Sequence, residues 1–494
     1  MRSTVNAEID YFTKSNKTES TSGKNILSVP PSSLSGKIRI LMVSPEYPPI
    51  NGGVGRYTHK LVNELKRHGL DVYVACDNKG NGDYTRLSPN NMHNSEILLN
   101  LVNKIKPDIV HIQYEPGLYG LTLPSLRPNS IHSTIDSFYD KCKTPIVTTF
   151  HSEYEFRQWM RIPQIKINKR ESLSISEKST DDEKYRLLSS LKNRLYNINL
   201  YWKYLINYEA FQNQNKEKLH KSRAGIVFSD YMKTLIGTKK SNKRLSSSKL
   251  KLLYHGAEPA AFINGISKKD ARTRFPPLPQ KDTGRIALAF GFMTVAKGWD
   301  IIEKINVPDN WTIVINSSVN HTTGEKIKLD NLASEKGTNA KCRIINLSQD
   351  YLSEEDLSAL FIASDAVLLP YKVTSGSGVM FDALGHGIPF IASDLPFFKE
   401  FASKGLGITT KRAPNAFVDA LLEVDKNYNK YKNAIEGFKK YLRWDIVARN
   451  HTELYKNISS STRMLTSNEP HITVTKSIAD LTSQHPKPFS FQLD

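Results

Sequence analysis

Cysteine is scarce in this chain, and long apolar runs are missing from it. Its three cysteines, Cys76, Cys142 and Cys342, are odd in number and widely scattered, which argues against a disulfide framework and against a zinc site. No apolar run approaches the roughly 18 residues that a membrane-spanning helix needs. The N-terminus also lacks the hydrophobic core of a signal peptide. We therefore expect a cytoplasmic protein that does not span a membrane.

Positive charge, in contrast, is abundant. The chain has 68 Lys and Arg residues against 49 Asp and Glu residues, a net charge of +19, and its pI is about 9.5. Such a balance favours acidic partners, namely phosphorylated substrates, an anionic membrane surface or nucleic acid. Because the sequence contains no nucleic-acid-binding motif, we expect one of the first two partners and no nucleic acid.

The length and rhythm of the chain predict two α/β domains. With 494 residues, 39% of them hydrophobic, the chain can bury a large core. Short apolar runs alternate with helical segments, which indicates doubly wound α/β architecture, and the Pro-rich stretch Arg274–Gln280 interrupts the alternation. We predict a disordered tail over 1–36, a doubly wound domain over 37–260, a linker over 261–284, a second doubly wound domain over 285–433, a helix at about 434–460 and a disordered tail over 461–494.

One segment of the second half predicts an anion site. The apolar run Ala366–Leu369 has the pattern of a buried parallel strand, and a Ser/Gly-rich turn and a helix starting near Val379 follow it. Ser377, Gly378 and Val379 therefore lie where free N–H groups and the positive end of a helix dipole favour a phosphate. Gly378 lets a ligand approach the backbone without a Cβ in the way. We expect this turn to hold a diphosphate.

Three loops of the first half end at the edge of the sheet where open α/β sheets bind ligands. Gly52 and Gly53 lie between the first strand and the first helix, and Glu115 and His151 each follow a further strand. The glycines lack the spacing of a dinucleotide fingerprint, and a glycine-rich turn is more often structural than functional. A histidine at such an edge can donate to a phosphate or sugar oxygen, or it can merely neighbour a helix cap. The alternation of residues in His111–Gln113 predicts packed side chains.

Two charged residues of the second half are candidate site residues because of the glycine-containing segments beside them. Lys297 lies in a loop that begins with Gly291 after a strand, where its ammonium could neutralise a leaving diphosphate. A lone loop lysine is otherwise simply solvated. Asp382 lies one turn behind Gly378, within reach of ribose hydroxyls. Without a ligand it would be an ordinary first-turn acid that the helix dipole favours.

Taken together, these segments resemble the GT-B-fold glycosyltransferases. The resemblance is to the large retaining family related to glycogen synthase and the bacterial mannosyltransferases, a group like glycosyltransferase family 4, and it extends from about Lys37 to Ile458. The landmarks occur in the family's order: PPINGGVGRY at 48–57, DIVHIQYE at 108–115, PIVTTFH at 145–151, IVFSD at 226–230, YHGAE at 254–258, FGFMTVAKGWD at 290–300, SDAVLLPY at 364–371 and SGVMFDALGHGIPFIASD at 377–394. In the family, the helix that Trp444 opens crosses back onto the first domain.

The resemblance implies two Rossmann-like domains that face each other across a cleft and hold a nucleotide-sugar, UDP- or GDP-linked, between them. It places Gly52 and Gly53 at the donor diphosphate, His151 at the transferred sugar and Asp382 at the ribose. Lys297 would stabilise the departing phosphate together with the amides of Gly378 and Val379. No metal and no other cofactor are implied, because the lysine and the amides supply the positive charge.

The chain departs from the family pattern at the sugar site. The family has two glutamates eight positions apart, where this chain has Thr374 and Asp382, and Phe292 replaces an arginine that often follows the glycine of the second-domain loop. We predict a retaining, metal-independent hexosyltransferase that acts on a hydroxyl acceptor. The alternatives are a catalytically weak GT-B protein that serves as a binding or regulatory partner, and a sugar phosphorylase or nucleotide-sugar hydrolase.

The excess positive charge is concentrated in one part of the chain. Residues 151–250 contain 21 Lys and Arg residues against 10 Asp and Glu residues. The segment Phe156–Arg170 mixes aromatic and basic residues, which is typical of a solvated loop or of a surface that docks on an anionic membrane carrying a glycan or lipid-linked acceptor, and we favour docking. The segment Asn197–Phe211 is also rich in aromatic residues, and there we expect a helix packed on the sheet instead.

Overall fold

The computed structural model describes residues 37–121, 132–167, 183–237, 247–263, 265–280, 284–318, 343–347 and 351–467. The predicted disordered tail over 1–36 and the end of the predicted C-terminal tail, 468–494, lie outside the described residues, as does Cys342. The chain forms two parallel β-sheets, each covered by helices on its faces. Both predicted α/β domains are therefore present.

The strands of the first sheet are β1 Arg39–Val43, β2 Asp71–Asp77, β3 Tyr84–Leu87, β4 Ile109–Tyr114, β5 Ile146–Phe150, β6 Ala224–Val227 and β7 Leu250–Leu252. Its helices are α1 Gly53–Arg67, α2 Asn94–Ile105, α3 Asp136–Lys141, α4 Phe156–Trp159, α5 Glu183–Lys221 and α6 Asp230–Gly237. The strand order is β3-β2-β1-β4-β5-β6-β7, and the recorded pairs are all parallel. The reversal of order beside β1 and β4 places their carboxyl ends at the crevice where such sheets bind ligands.

The strands of the second sheet are β8 Arg285–Phe292, β9 Trp311–Ser318, β10 Ile344–Asn346, β11 Ala366–Leu369, β12 Phe390–Ser393 and β13 Gly407–Thr410. Its helices are α7 Lys268–Thr273, α8 Trp299–Ile302, α9 Glu354–Ala363, α10 Gly378–Gly385, α11 Pro396–Ala402, α12 Pro414–Lys426, α13 Tyr428–Lys439 and α14 Trp444–Ser467. The strand order β10-β9-β8-β11-β12-β13 repeats the doubly wound plan, again with parallel pairs.

Apolar runs form the central strands because helices cover both faces of a parallel sheet. Every residue of β1, β4, β5 and β11 is buried. Helix α1 faces the sheet with an apolar stripe whose members include Tyr57, Leu61 and Leu65. These four strands lie where the sequence predicts them, before Gly52, Glu115 and His151 and at the apolar run Ala366–Leu369.

The sequence did not predict the edge strands β3 and β13. Their sequences, YTRL and GITT, are polar, and their side chains are largely exposed or half-buried. An edge strand has only one neighbour and lies partly in solvent, so it lacks the apolar run that marks a central strand.

The prediction of a single helix at about 434–460 is wrong in one respect. The structure has two helices there, α13 and α14, separated by a 3-10 turn at Lys440–Leu442 and by the extended backbone of Arg443 (φ −59°, ψ 135°). Trp444 opens α14, as the family resemblance implies. The turn lets α14 change direction and pack on α1 of the first domain.

The segment predicted as a linker packs against the second domain. Helix α7 contacts α9, and the Arg272 guanidinium, 2% exposed, donates to the Ala363 carbonyl over 3.2 Å. Phe275 and Leu278 of the Pro-rich stretch are buried. These two apolar residues therefore anchor the stretch to the domain surface.

Across the parts of the chain that the structure describes, none of the helices combines the length and the apolar character needed to cross a bilayer.

Candidate functional site

The predicted anion cradle lies at the start of α10, directly after the loop that leaves β11. Ser377 is the N-cap residue, and its Oγ accepts a 3.2 Å hydrogen bond from the Met380 N–H. The N–H groups of Gly378 and Val379 come too early in the helix to have an intrahelical acceptor. They point to where the helix dipole is positive, so the turn can bind an anion.

Lys297 lies beside this cradle and is connected to it through Tyr371. Its Nζ donates a 2.6 Å hydrogen bond to the Tyr371 hydroxyl, which lies 3.5 Å from Ser377 Oγ. A Cβ built at Gly291 would lie 3.9 Å from Val379 Cγ2 and 4.0 Å from Lys297 Cε. Gly291 has a φ of 127°, which side chains rarely adopt. The lysine, the glycine loop and the helix start are therefore immediate neighbours.

The first domain closes the other side of the cradle with two histidines. A Cβ at Gly378 would lie 3.7 Å from His255 Nε2, and a Cβ at Gly376 would lie 3.7 Å from the carbonyl oxygen of His151. The His255 ring stacks on Phe381 of α10, with 5.5 Å between the ring centroids and 7° between the planes. The cradle thus lies between the two domains, as the resemblance implies.

A buried amide determines which nitrogen of His151 carries the proton. His151 Nε2 lies 2.9 Å from Gln113 Oε1, and an amide oxygen can only accept, so we assign the proton to Nε2. Burial, with a further contribution from His255, lowers the pKa of His151 to about 3. The ring is therefore neutral at pH 7, with Nδ1 as its acceptor.

The same amide belongs to a longer buried network. Gln113 and His111 are fully buried on β4, as predicted, with Gln113 Nε2 3.4 Å from His111 Nε2. His111 Nδ1 lies 2.6 Å from the Tyr455 hydroxyl of α14. The C-terminal helix is thus connected to His151 through two polar residues that the sequence predicts only as packing residues.

The glycine turn after β1 encloses a carboxylate. Glu46 Oε1 accepts a 2.8 Å hydrogen bond from the Gly55 N–H, and a Cβ at Gly52 would come within 1.9 Å of the Glu46 carboxyl carbon. Gly52 has an extended φ of −170°, so it is required for space and not for its conformation. A Cβ at Gly53 would have no described atom within 4 Å. The backbone of Gly53 is therefore open to an approaching ligand.

Glu115 lies at the same edge, next to this turn. Its carboxylate accepts a 3.0 Å hydrogen bond from Ser152 Oγ. Burial raises the pKa of Glu115 to about 7, and the nearby Glu46 carboxylate adds to the rise although the Ser152 hydroxyl opposes it. Glu115 is therefore poised to gain or lose a proton near neutral pH.

Asp382 is paired across the domain boundary in this structure. Arg56 of α1 donates from Nη1 to Asp382 Oδ2 over 2.7 Å and from Nε to Glu354 Oε1 over 2.6 Å. Lys60, one turn along α1, lies 2.6 Å from Glu354 Oε2. Burial raises the pKa of Glu354, but Arg56 and Lys60 outweigh it and lower that pKa to about 2. Four charged side chains thus bridge the domains behind the cradle.

Thr374 uses its hydroxyl inside its own loop. Its Oγ1 donates to the Gly376 carbonyl over 2.5 Å and accepts from the Gly376 N–H over 3.2 Å. The Thr374 N–H donates to Gln158 Oε1 of α4 over 2.7 Å, and Ser375 Oγ accepts from the Glu153 N–H over 3.0 Å. The loop is therefore held against the first domain, with the threonine hydroxyl already satisfied.

The structure brings most of the predicted site residues to this one cleft. Lys297, Gly291 and the cradle residues converge with His151, while Glu115, Gly52 and Gly53 line the facing edge of the first sheet. Their roles stay predictions. Sequence reasoning did not single out Arg56 and Tyr371, although both lie inside the landmarks at 48–57 and 364–371. The spacing of Arg56 and Lys60, one helical turn apart, is a signal that could have identified the cationic face of α1.

Among the described residues, no group of three or more His, Cys, Asp or Glu side chains could hold a metal ion. Metal independence stays a prediction.

Residues 51–238 match the model of a family described as Glycosyltransferase Family 4. A comparison with curated proteins finds no match. Similar solved structures include a sucrose-phosphate synthase from Thermosynechococcus elongatus, with 14% identity, a TM-score of 0.57, and 86% of this chain and 100% of that chain covered.

Two further structures lead to the same fold. A glycosyltransferase from Rickettsia africae ESF-5 has 14% identity and a TM-score of 0.56, with 86% of this chain and 99% of that chain covered. The catalytic domain of starch synthase IV from Arabidopsis thaliana has 12% identity and a TM-score of 0.52, with 86% of this chain and 100% of that chain covered. This chain therefore has the GT-B fold, and residues 51–238 of its first domain are similar to Glycosyltransferase Family 4.

Proposed function

We propose that this protein is a glycosyltransferase that moves a hexose from a UDP- or GDP-linked donor to a hydroxyl acceptor. One observation carries the proposal: the Lys297 ammonium and the N-terminus of α10 adjoin each other in the interdomain cleft, opposite His151. A donor diphosphate placed there would be bound by the N–H groups of Gly378 and Val379 and by the ammonium. The starch synthase structure that shares the fold was solved with ADP and acarbose, which is consistent with a nucleotide in such a cleft.

The main catalytic contribution would be stabilisation of the leaving diphosphate. Negative charge grows on the phosphate oxygen as the bond to the sugar carbon breaks, and preorganised donors at that point lower the barrier. Tyr371 holds the ammonium in place before the donor arrives. No divalent ion is needed in this scheme, so we expect activity to persist in the presence of EDTA.

His151 and Glu115 would act on the sugar side of the reaction. The neutral His151 ring can accept a hydrogen bond at Nδ1 from a sugar hydroxyl, since its Nε2 proton is donated to Gln113. Glu115, with its pKa raised by burial to about 7, could accept the proton of the acceptor hydroxyl as that oxygen attacks. Asp382 would contact the ribose while it shares Arg56 with Glu354.

We propose that the anomeric configuration is retained. Of the predicted site residues, Glu115 and Asp382 carry carboxylates, and these already hydrogen-bond Ser152 and Arg56. Neither carboxylate is therefore free to act as a nucleophile on the sugar carbon. The diphosphate would leave first, and the acceptor would then attack from the same face of the sugar. Determining the anomeric linkage of the product by NMR tests this point, and an inverted linkage would contradict it.

A second candidate is a GT-B protein that binds a nucleotide-sugar but turns it over weakly. It is favoured by Thr374, whose hydroxyl is used within its own loop where the family pattern has a glutamate. If this protein acts as a regulatory or binding partner, it should bind the donor without transferring the sugar.

A donor panel separates these candidates. UDP- and GDP-linked hexoses would be screened by thermal shift, and nucleotide release would then be measured with and without a mixture of hydroxyl acceptors. The transferase predicts that one donor raises the melting temperature and that acceptors accelerate nucleotide release. Binding without release favours the weak GT-B protein, and release that acceptors do not change favours a nucleotide-sugar hydrolase.

The acceptor would be a glycan or a lipid-linked hydroxyl, reached from the cytoplasm. Peripheral association with an anionic membrane belongs to this proposal, because the positive charge concentrated in residues 151–250 would attract the protein to such a surface.

A further inference from the structure

Helix α5 carries two apolar faces, and the described residues of the domain cover one of them. Tyr204 and Phe211 are buried against Trp159 of α4. Trp202 and Leu205, on the same part of the helix, are 55% and 43% exposed. The sequence predicts that this part of the helix packs on the sheet, but its buried face packs on α4 and its opposite face is exposed.

The exposed apolar residues form a continuous stripe. They are Leu191, Leu195, Ile198, Trp202 and Leu205, each at least 43% exposed. Their spacing alternates between four and three residues, which keeps them on one side of an α-helix. At about 100° per residue, this side lies roughly opposite the buried face, and at 1.5 Å per residue the stripe is about 21 Å long. We call these five residues the α5 stripe.

The charges beside the α5 stripe have a single sign. Residues 191–208 contain Lys192, Arg194 and Lys203 and no Asp or Glu. Both Lys192 and Arg194 are exposed, and Lys203 is half-buried. Tyr196 is 41% exposed, so an aromatic residue of the kind that favours membrane interfaces accompanies the cations. An apolar stripe flanked by cations and aromatic residues matches an anionic lipid surface.

A second copy of the chain fits this surface less well. Pairing two α5 stripes in either orientation would bring Lys192 and Arg194 of one copy close to cations of the other, which are Lys203 in an antiparallel pair and the same two residues in a parallel pair. Like charges across a helix–helix seam repel, and no acidic residue in this part of the helix could compensate.

We infer that the α5 stripe docks the protein on an anionic membrane surface. Arg157 and Arg161, which are exposed on the neighbouring segment, extend the cationic border. This segment overlaps Phe156–Arg170, for which the sequence predicts membrane docking; residues 168–170 lie outside the described residues. The inference rests on the proposed function only in its choice of a membrane-associated acceptor.

Docking by α5 would place the candidate site close to the lipid. Helix α4 contacts α5 through Trp159, whose Nε1 donates a 2.7 Å hydrogen bond to the Tyr204 carbonyl. The same helix holds the loop of the second domain through the Gln158–Thr374 hydrogen bond. One short helix therefore connects the docking helix to the cleft, so a lipid-linked hydroxyl near the membrane surface could reach the donor.

The test is sedimentation of the full chain with vesicles of phosphatidylcholine alone or mixed with phosphatidylglycerol. We expect binding to the mixed vesicles that high salt weakens. The variant Ile198→Ser with Trp202→Ser removes apolar contacts, and Arg194→Glu with Lys203→Glu reverses charge. Each double variant should weaken vesicle binding by about tenfold or more. Phe262→Ser and Met92→Ser are matched controls, since these residues are 90% and 77% exposed away from α5.

Several results would overturn the inference. These are equal binding to neutral vesicles, no binding by the parent protein, or unchanged binding by both double variants. A dimer in light scattering that Ile198→Ser with Trp202→Ser dissociates would assign the stripe to a second copy instead. An unchanged melting temperature and donor-induced thermal shift would show that the variants are folded.

The same experiment separates this inference from the proposed function. Lys297→Ala should bind vesicles as tightly as the parent protein. Vesicle binding without turnover of any donor would reject the transferase and leave the docking surface intact. Transfer to an acceptor without vesicle binding would reject the docking surface and leave the transferase intact.

Discussion

At the scale of single residues, the candidate site depends on one ammonium group and on what holds it. Lys297 approaches the cradle from a loop that lacks the family's arginine, because Phe292 stands in its place. Tyr371 does not replace the missing positive charge, but it holds Lys297 in place. Its hydroxyl accepts a hydrogen bond from Lys297, and the centroid of its ring lies 3.9 Å from Nζ.

Replacing Lys297 by Ala should lower kcat by a factor on the order of 100 to 1,000, because a preorganised group of this kind contributes about 3 kcal/mol to the barrier. Steady-state nucleotide release with the preferred donor would measure the loss. Lys439→Ala, which breaks only a surface pair with Glu436, is the control and should retain activity. A Lys297→Ala variant with normal turnover would remove this residue from the mechanism.

Tyr371→Phe keeps the buried ring and removes the hydroxyl that holds Lys297. A hydrogen bond to a charged group is worth about 1.5 to 3 kcal/mol, so kcat should fall by roughly tenfold or more. The KM for the donor should change less than kcat, since the lysine remains present but is less well placed. Tyr441→Phe, at an exposed position, serves for comparison. A purely structural tyrosine would alter the melting temperature and leave kcat unchanged.

The buried Glu153 predicts a pH dependence of stability. Burial raises its pKa to about 7 from 4.5, although the Asn215 amide and the Tyr154 N–H oppose the rise. The folded state thus keeps this proton to higher pH than the unfolded state, so stability from this group is complete below pH 4.5 and is lost as the pH rises through 7.

Glu153→Gln removes this titration. The stability of the variant relative to the parent should therefore increase between pH 5 and pH 8, by up to about 3 kcal/mol. Calorimetric melting at both pH values measures the change, with the exposed Glu355→Gln as a control. A relative stability that is the same at both pH values would contradict the assigned pKa.

At the scale of elements, the contact between α14 and the first domain depends on a missing side chain. Trp444 opens α14 and packs directly on Gly256, where a Cβ would lie 2.5 Å from Trp444 Cε3. The same glycine turn is close to His255, which faces the cradle. Helix α14 then reaches His111 through Tyr455. The C-terminal helix therefore supports the first domain behind the site.

Gly256→Ala should destabilise the protein by about 1 to 3 kcal/mol, the usual cost of overpacking a filled position. Gly437→Ala on α13 is a matched control, because a Cβ there would meet no described atom within 4 Å. In a helix this control should stabilise by about 0.5 to 1 kcal/mol. Melting temperatures of the two variants should therefore shift in opposite directions, and equal shifts would contradict the packing described.

At the scale of the whole molecule, the cleft is closed by polar contacts between the domains. Arg56 and Lys60 of the first domain meet Asp382 and Glu354 of the second. Further hydrogen bonds join the Thr374 loop to α4. Polar interfaces between domains allow the domains to move relative to each other. A ligand that contacts these charged side chains could therefore change how far the cleft is closed.

Arg56→Gln combined with Lys60→Gln should open the cleft, since the nearly buried Asp382 would lose its cation. We expect a larger radius of gyration by small-angle X-ray scattering and a weaker affinity for the donor. The control is Lys66→Gln combined with Arg67→Gln, at the exposed end of the same helix. It removes the same two positive charges and should leave the radius of gyration unchanged. An unchanged radius in the Arg56 and Lys60 variant would show that these ion pairs do not hold the domains together.

The pattern of residues along the chain was enough to predict the architecture and to locate most of the candidate site. Buried parallel strands need apolar runs, and ligand-binding turns at their ends need glycine, so β1, β4, β5 and β11 and the cradle at Gly378 could be located without coordinates. The edge strands β3 and β13 could not, because an exposed edge does not require the apolar pattern.

The residues that meet across the cleft could be identified only from the folded structure. The pairing of Arg56 with Asp382, the support of Lys297 by Tyr371 and the contact of Gln113 with His151 join positions from separate elements. Sequence periodicity describes one element at a time and carries no information on such contacts. For the same reason, the exposed face of α5 became visible only once packing had covered the opposite face.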